Sequence, residues 1–341
     1  QTVEEGTVVI FAKVPARTGY VNQGWSSKKN SEKATAKAKC TVNKNITLYA
    51  VQKKAVQLTF HRCDGSTWQK TTLAKGSSYS LPGVRDAEGY TFMGWSTKPM
   101  QSVSPQYEAE EKITVNGNVD LYAVVFNRTT ETDLTEDQLP QVDIYKYKQV
   151  IFVGDSRTEF MENVLTGMGE SATKNVKFVC SAGKGLDWFT TTGWAQLYSI
   201  VQHDSNSILS KKTAVIFNFG VNDLSKSADY AEYYNWIAPQ LKSKGCELYF
   251  MSVNPVNRLM LPNAGRADRS EAAVRSFNQY MKANLSSAYT YIDMYSYLKS
   301  TGYSFASDHY GTGTVDDGLH YTTRTYKRIF AKCMDSLRVP A

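Results

Sequence analysis

Short apolar runs alternate with longer segments of helical periodicity in the C-terminal part of the chain. The apolar runs are residues 149–153, 176–180, 214–219, 247–253 and 290–292. Each run has the length of a strand and is almost continuously apolar, as expected for strands buried on both faces of a parallel sheet. Residues 270–285 place apolar side chains at helical spacing, with Asp268 or Ser270 as the candidate cap. We therefore predict an α/β domain with helices on both faces of its sheet.

The first third of the chain carries an internal repeat with an offset of about 70 residues. The repeated segments are 19–26 with 89–96, which read Gly-Tyr-x-x-x-Gly-Trp-Ser, and 41–51 with 114–124. Alternation of polar and apolar residues predicts short strands, and Asn116-Gly117 predicts a tight turn. We expect two small β-rich modules with Trp25 and Trp95 in their cores.

These modules resemble the internalin-type B-repeat of bacterial surface proteins over residues 5–126. The resemblance implies a secreted or cell-surface bacterial protein, with repeats that act as a spacer or contact the cell wall. The chain begins at Gln1 rather than at a methionine, so we expect a mature or excised fragment.

A polar segment separates the repeats from the α/β part. Residues 131–143 contain five acidic residues and no basic residue, a composition typical of a linker. We therefore predict a first β-rich module at 1–54, a second at 55–127, an acidic linker at 128–145 and the α/β domain at 146–341.

Composition and charge bound the possible partners. The chain has 341 residues, of which 42% are hydrophobic, enough for more than one buried core. It contains no run of about 18 apolar residues, so we expect no membrane span. The formal net charge is +7, with lysines dense between residues 28 and 39. No recognition motif accompanies these lysines, so we expect no nucleic-acid partner.

Neither a metal nor another cofactor is expected. The five cysteines form no C-x-x-C pair, and the four histidines form no H-x-H or H-x-x-x-H pair. Gly183-x-Gly185 lacks the third glycine and the ribose-binding acid of a dinucleotide site. Cys180 and Cys246 lie in apolar runs and are expected to be buried free thiols. Three histidines are expected at the surface: His61, His203 and His309.

Reactive residue types follow three of the predicted strands and recur near the C-terminus. The segments are Gly154-Asp155-Ser156-Arg157, Ser181-Ala182-Gly183, Gly220-Val221-Asn222-Asp223 and Asp317-Gly318-Leu319-His320. Right-handed crossovers bring the carboxyl ends of parallel strands to one edge of a sheet, where ligands bind. We therefore expect a serine, a glycine, an asparagine and a histidine at that edge.

These four segments resemble the sequence blocks of the SGNH hydrolases, also called the GDSL family, over residues 147–336. The resemblance implies a three-layer α/β/α sandwich with a five-stranded parallel sheet of flavodoxin-like topology. It also implies esterase activity without a cofactor. Arg157 stands where the family name has leucine, and a cation there would sit poorly against a long acyl chain.

The expected chemistry is nucleophilic attack by Ser156. A serine hydroxyl needs a base within hydrogen-bond reach, and His320 is the expected base because an imidazole titrates near working pH. Asp317 is expected at the other ring nitrogen, with Asp316 as the alternative. The competing interpretations are an ordinary helix cap at Ser156 and a structural histidine at His320.

The tetrahedral intermediate needs donors for its oxyanion. The expected donors are the backbone N–H groups of Ser156 and Gly183 and the side-chain amide of Asn222. Arg157, Lys184 and Arg258 are candidates to frame a polar or anionic substrate, and Trp188 is a candidate to stack on a sugar ring. Asn222 as a simple turn residue is the alternative.

These residues predict a serine esterase that acts through an acyl-Ser156 intermediate. The preferred substrate is an O-acetylated polysaccharide or cell-wall glycan, or a small ester. An O-acyltransferase that uses the same acyl-enzyme is one alternative. A surface adhesin with a non-catalytic hydrolase-like domain is the other.

Overall fold

The computed structural model describes residues 2–143, 146–202, 212–307 and 316–337. The chain divides into two compact units. The first comprises Gln1–Leu81, Ser96–Met100 and Lys112–Ala123, and the second comprises Pro82–Trp95, Gln101–Glu111 and Val124–Ala341. The second unit therefore contains two segments of the second repeat as well as the α/β domain. No helix in the described part of the chain is long and apolar enough to cross a bilayer.

The repeat region is built from short strands around one long strand. The strands are β1 (Thr7–Ile10), β2 (Tyr20–Ser26), β3 (Lys39–Val42), β4 (Tyr49–His61), β5 (Thr67–Ala74), β6 (Ser77–Ser80), β7 (Tyr90–Ser96), β8 (Lys112–Val115) and β9 (Val119–Asn127). Strand β4 pairs antiparallel with β2 and β5 and parallel with β9. Strand β1 pairs with β3, and β6 pairs with β8. Asn116-Gly117 connects β8 to β9, which belong to different sheets, so the predicted tight turn closes no hairpin.

Five parallel strands form the sheet of the α/β domain. They are β10 (Tyr147–Gly154), β11 (Val176–Cys180), β12 (Lys212–Asn218), β13 (Cys246–Met251) and β14 (Tyr289–Ile292). Their order is β11-β10-β12-β13-β14, and every neighbouring pair is parallel. This order is the flavodoxin-like arrangement and confirms the predicted fold class. The order reverses beside β10, so the crevice outside β10 and β12 is where this fold places ligands.

Helices lie between successive strands of the parallel sheet. They are α1 (Ser156–Met168), α2 (Glu170–Thr173), α3 (Leu186–Trp188), α4 (Trp194–Gln202), α5 (Ser227–Ser243), α6 (Glu271–Asn284), α7 (Met294–Thr301) and α8 (Thr323–Ser336), with a π-helical turn at Phe189–Gly193 between α3 and α4. A two-stranded antiparallel ribbon, β15 (Phe305–Ser307) and β16 (Asp316–Tyr321), precedes α8. Ser270 is the cap of α6, because its side chain accepts the Ala273 N–H at 3.0 Å.

Two apolar cores lie on opposite faces of the parallel sheet. Alternate residues of β10 divide between them: Ile151 and Val153 join one core, and Val150 and Phe152 join the other. Side chains of α4, α5 and α6 complete the first core, and side chains of α1, α7 and α8 complete the second. The sheet is therefore covered on both faces, as a three-layer sandwich requires.

The acidic segment differs from the solvated linker that its composition predicts. Leu139 and Val142 are buried in the core on the α1 side of the sheet. The Glu131 carboxylate is also buried, where it accepts hydrogen bonds from Ser304 at 2.6 Å and from Arg328 at 3.0 Å. The few apolar positions of this segment and one buried ion pair hold it against the domain, although most of its side chains are polar.

Four residues predicted to be buried are buried to different degrees. Trp95 is fully buried, whereas Trp25 is only half-buried. Cys246 is buried, whereas Cys180 is half-buried with its sulfur 3.3 Å from a Glu162 oxygen. The cysteines of the chain are free thiols.

Candidate active site

The candidate nucleophile lies where β10 ends and α1 begins. Ser156 is the first residue of α1, and the Asp155 side chain caps the helix by accepting the Arg157 N–H at 3.0 Å. A Cβ at position 154 would lie 2.0 Å from Oγ1 of Thr158, so only glycine allows this close turn. The turn presents the Ser156 hydroxyl at the carboxyl edge of the sheet and at a helix N-terminus.

The structure brings Ser156, His320 and Asp317 into one chain of contacts. Nε2 of His320 lies 2.8 Å from Oγ of Ser156, and Nδ1 lies 2.5 Å from Oδ2 of Asp317. Oδ1 of Asp317 accepts the backbone N–H groups of Leu319 and His320 at 2.8 and 2.7 Å. Asp316, the alternative acid, instead contacts Arg128 at 2.5 Å.

Burial sets the electrostatics of this group. Ser156 is 6% exposed, His320 2% and Asp317 0%. Burial lowers the pKa of His320 from 6.5, against the opposing influence of Asp317. Burial would raise the pKa of Asp317, but hydrogen bonds from His320 and from backbone N–H groups outweigh it and hold that pKa below 3.8. The geometry thus combines a neutral imidazole with an ionised carboxylate.

Gly183 and Asn222 line the same cavity as Ser156. Gly183 has a φ of +71°, which favours glycine. Its neighbour Ala182 donates its N–H to Glu159 Oε2 of α1 at 2.6 Å, which ties this loop to the helix that begins at Ser156. Within the described residues, no backbone carbonyl accepts the Gly183 N–H.

The Asn222 amide is held by contacts at both ends. Its nitrogen donates to the Lys184 carbonyl at 2.8 Å, and its oxygen accepts from Nη2 of Arg269 at 2.8 Å. Arg269 also donates to the carbonyl oxygens of Val221 and Ala267 at 2.7 and 2.9 Å. The arginine therefore fixes which end of the amide is the donor, and the second N–H of the amide remains available to the cavity.

Two arginines that line the site were not predicted from the sequence. Arg266 and Arg269 both line the cavity around Ser156, and Arg266 lies 3.4 Å from Oδ2 of Asp317. They lie in the segment between β13 and α6, beyond a short 3-10 helix at Leu261–Ala264 and therefore far from the end of the strand. The only signal in the sequence was the presence of three arginines in this segment, Arg258, Arg266 and Arg269. Their number does not indicate which of them face the site.

Arg157 does not line the cavity around Ser156, contrary to expectation. It is 3% exposed, and its guanidinium donates to the carbonyl oxygens of Leu319, Asn254 and Pro255 at 2.9 to 3.0 Å. The guanidinium also stacks over the Tyr321 ring at 5.2 Å. Arg157 therefore connects α1 to β16 and to the loop after β13.

The remaining predicted substrate contacts lie outside the cavity lining. Arg258 pairs with Asp268 at 2.7 Å and with Glu110 at 3.5 Å. Trp188 is half-buried against Phe219 at the edge of the core. Lys184 is exposed and contributes its carbonyl, rather than its ammonium, to the contact with Asn222.

The other histidines offer no competing centre among the described residues. His61 was expected at the surface, but its side chain is 13% exposed, stacks on Tyr122 and lies 2.8 Å from Asp120. His203 and His309 lie outside the described residues. Across the described ranges, no cluster of three or more histidine, cysteine, aspartate and glutamate side chains could hold a metal ion.

The cavity around Ser156 is small and polar. It has a volume of about 300 Å³ and is bordered by Phe160, whose ring meets the His320 ring edge-on at 4.5 Å. Its lining contains an alcohol, an imidazole, backbone N–H groups, an amide and two guanidinium groups. This arrangement can bind a carbonyl whose oxygen gains negative charge while its carbon is attacked.

Comparisons with solved structures found matches at low sequence identity and low TM-score. An acetyl xylan esterase has 11% identity and a TM-score of 0.37, covering 56% of this chain and 100% of its own. The catalytic domain of a Streptococcus pneumoniae peptidoglycan O-acetyltransferase has 15% identity and a TM-score of 0.33, covering 56% and 92%. A Bacillus subtilis protein has 14% identity and a TM-score of 0.36, covering 94% and 90%. No curated protein matches the sequence.

Two family models match the sequence itself. The Listeria-Bacteroides repeat domain matches residues 1–51 and 57–124, in agreement with the predicted duplication. The model described as GDSL-like lipase/acylhydrolase matches residues 150–333, which is more than half of the chain. The chain therefore belongs to the GDSL-like lipase and acylhydrolase family and is an esterase.

Proposed function

We propose that the protein hydrolyses small acyl esters through an acyl-Ser156 intermediate. The observation that carries this proposal is the buried series of contacts from Ser156 through His320 to Asp317, with spacings of 2.8 and 2.5 Å. His320 accepts the proton of the Ser156 hydroxyl during attack and returns it to the leaving alcohol. Asp317 holds the ring in the required tautomer and stabilises the imidazolium. A water molecule then attacks the acyl carbon while His320 accepts its proton, and His320 returns that proton to Ser156 as the carboxylic acid leaves.

The oxyanion is assigned to three donors. They are the N–H of Ser156 at the start of α1, the N–H of Gly183 and the free N–H of the Asn222 amide. The positive end of the α1 dipole adds to their effect on the developing charge. The oxygen of Asn222 faces Arg269, so the amide nitrogen is the end that turns toward the substrate.

We further propose that the acyl group is short and the alcohol is a glycan. A cavity of about 300 Å³ with a largely polar lining suits an acetyl group better than a long acyl chain. Repeats that match the Listeria-Bacteroides repeat domain support a bacterial surface or secreted setting, in which acetylated cell-wall glycans or other polysaccharides would be within reach. The repeats would then contact the cell wall or act as a spacer.

A small chromogenic acetate tests the catalytic part of this proposal. We expect a burst of released alcohol from the wild-type protein, followed by turnover, and labelling by a serine-directed phosphonate. Both should disappear in Ser156→Ala. A protein that releases no alcohol and takes up no phosphonate would be a binding module rather than an enzyme.

A screen across acetylated glycans and peptidoglycan tests the substrate part. Released acetate from an O-acetylated glycan, with little activity on long-chain esters, is the expected result. Activity restricted to long-chain esters would contradict the proposed acyl group. Supplying an acetyl donor together with a sugar separates the reactions, because transfer yields an acetylated sugar whereas hydrolysis yields free acetate.

A further inference from the structure

The strand that carries the candidate base is held by side chains from outside the strand. Strand β16 contains both Asp317 and His320, and residues 308–315 before it are not described. Asp316 and Gly318, the two neighbours of Asp317 in the chain, each make a contact that leads back to one residue, Asp86. Asp86 lies in the part of the chain that matches the second Listeria-Bacteroides repeat.

The first connection is an ion-pair bridge. Nη2 of Arg128 lies 2.8 Å from Oδ2 of Asp86 and 2.5 Å from Oδ2 of Asp316. The same guanidinium donates through Nε to Oγ1 of Thr91 at 2.9 Å, which fixes its plane. One arginine thus joins a repeat carboxylate to the residue immediately before Asp317.

The second connection runs through an amide. Asn257 donates from its side chain to Oδ1 of Asp86 at 2.8 Å, and its backbone N–H donates to the Gly318 carbonyl at 2.8 Å. Gly318 has a φ of +67°, and a Cβ there would lie 2.5 Å from the Asn257 carbonyl oxygen. The two backbones approach closely because position 318 is glycine.

The centre of this network is shielded from water. The Asp86 side chain is 0% exposed, Arg128 is 17% exposed and Asp316 is 19% exposed. Oδ1 of Asp86 also accepts the Phe92 N–H at 3.0 Å. Burial raises the pKa of Asp86 to about 6, so the carboxylate is ionised at neutral pH. Removing one partner is costly because it leaves a buried charge uncompensated. The network therefore has one preferred arrangement, which fixes the backbone on both sides of Asp317.

We propose that Asp86, a residue of the second repeat, is a positioning residue that holds Asp317 and His320 in register with Ser156. Asp86 acts through Arg128 and Asn257 and does not touch the reacting atoms. The inference rests on the proposed function, because it gives Asp317 and His320 their roles. It makes the second repeat a structural part of the esterase, beyond a spacer or a wall contact. A displacement of about 1 Å at catalytic groups can cost about 100-fold in rate.

Substitutions at Asp86 test this inference in the full chain. Asp86→Ala removes both connections, and Asp86→Asn keeps the oxygen for Asn257 and Phe92 while placing an NH₂ group against Arg128. Glu88→Ala is the matched control, because Glu88 is an exposed acid two residues away in the same repeat. We expect both Asp86 variants to lower kcat on an acetate ester by about tenfold or more with KM little changed, and Glu88→Ala to behave as wild type.

The pH profile separates positioning from general destabilisation. Asp317 raises the pKa of His320, while burial and the cations of Arg157 and Arg266 lower it. If Asp317 moves away from His320, the acidic limb of kcat/KM shifts to lower pH. A loss of folded protein would reduce the amplitude of the profile without moving its limb.

The outcomes are distinguishable. Folded Asp86 variants with wild-type kcat, or with lowered kcat and an unmoved acidic limb, would overturn the inference. If Asp86→Ala does not fold, Asp86→Asn and Asp316→Asn decide by the same criteria, since Asp316→Asn breaks the bridge from the other side. An inactive wild-type protein, or one indifferent to His320→Ala, would refute the proposed function rather than the role of Asp86.

Discussion

The imidazole of His320 is almost completely shielded from water, and this favours its neutral form. A neutral ring is the form that can accept the Ser156 proton. Asp317 acts in the opposite direction, because its charge stabilises the imidazolium that forms after proton transfer. Burial and the carboxylate thus serve successive states of the same residue.

The pH dependence of the reaction follows from these influences. The pKa of His320 lies below 6.5, so the ring is protonated only in more acidic solution and the acidic limb of kcat/KM should lie below pH 6.5. Asp317→Asn removes the group that raises this pKa, so the limb should move lower still while kcat falls by about 10,000-fold. A pH–rate profile on a small acetate ester measures both effects. A wild-type limb above pH 6.5 would contradict the assignment.

The oxyanion donors give a second residue-scale prediction. Asn222→Ala should remain folded and lose about 100- to 1000-fold in kcat, because it removes one donor to the developing charge. Arg269→Met should also lower kcat, since the Asn222 amide loses the contact that fixes its orientation. The double variant should be no slower than Asn222→Ala alone. Independent, multiplicative losses in this cycle would show that Arg269 does not act through Asn222.

At the scale of elements, the carboxyl ends of β10, β11 and β12 lie near the start of α1, together with β16 of the two-stranded ribbon. Strand β10 leads into Ser156, the loop after β11 supplies Gly183, the loop after β12 supplies Asn222, and β16 supplies the base. Glu159 and Arg157 in the first turns of α1 bind the loop after β11 and strand β16 respectively. Helix α1 therefore organises the elements that surround its own N-terminus.

Arg157 provides the prediction at this scale. Its three carbonyl partners are buried, and a lysine cannot reproduce the fork that reaches all of them. Arg157→Lys should lower the unfolding midpoint in urea, with a loss of roughly 1–3 kcal/mol for the donors left unmade. KM for neutral and for anionic acetate esters should change equally. A selective rise in KM for the anionic ester would instead assign Arg157 to substrate binding.

At the scale of the molecule, the second compact unit is not one continuous stretch of chain. It takes in Pro82–Trp95 and Gln101–Glu111 from the second repeat. Met93, Val124 and Phe126 belong to the same apolar core as the α1 face of the sheet. The buried ammonium of Lys299 contacts Glu108 and the Met93 carbonyl, both at 2.9 Å, in addition to Glu271. A cut at the composition boundary therefore removes part of a core.

Fragments test this arrangement. A fragment of residues 128–341 loses the Met93, Val124 and Phe126 side chains and leaves Lys299 with fewer partners, which should cost at least about 3–5 kcal/mol. A fragment of residues 49–341 keeps these groups and serves as the control. Thermal unfolding of both fragments and the full chain measures the difference. Equal midpoints for the 128–341 fragment and the full chain would show that the repeat segments add nothing to the stability of the domain.

The local pattern of the sequence was sufficient to predict the sheet and to select the candidate residues that the fold brings together. Continuous apolar runs predict buried parallel strands because both faces of such strands must leave water, and all five runs became neighbouring strands. Serine, glycine and asparagine shortly after three predicted strands pointed to the carboxyl edge because parallel topology brings those ends together. His320 lies within β16, and its position at that edge came from the resemblance rather than from the strand pattern. The duplication at the N-terminus was likewise visible as repeated letters.

Only the tertiary structure decided where the charged groups point and where the domain ends. Arg157 next to Ser156 was expected to face substrate, yet three carbonyl oxygens from distant loops take its donors. Arg269 and Asp86 contact the site or its support across long separations in sequence, and long-range partners leave no periodic signal. An acidic segment resembles a linker by composition, but a few apolar side chains such as Leu139 suffice to bury it when a matching core surface exists. Burial is a property of the whole fold, so the sequence specified the candidate residues, and the packing determined which of them line the cavity around Ser156.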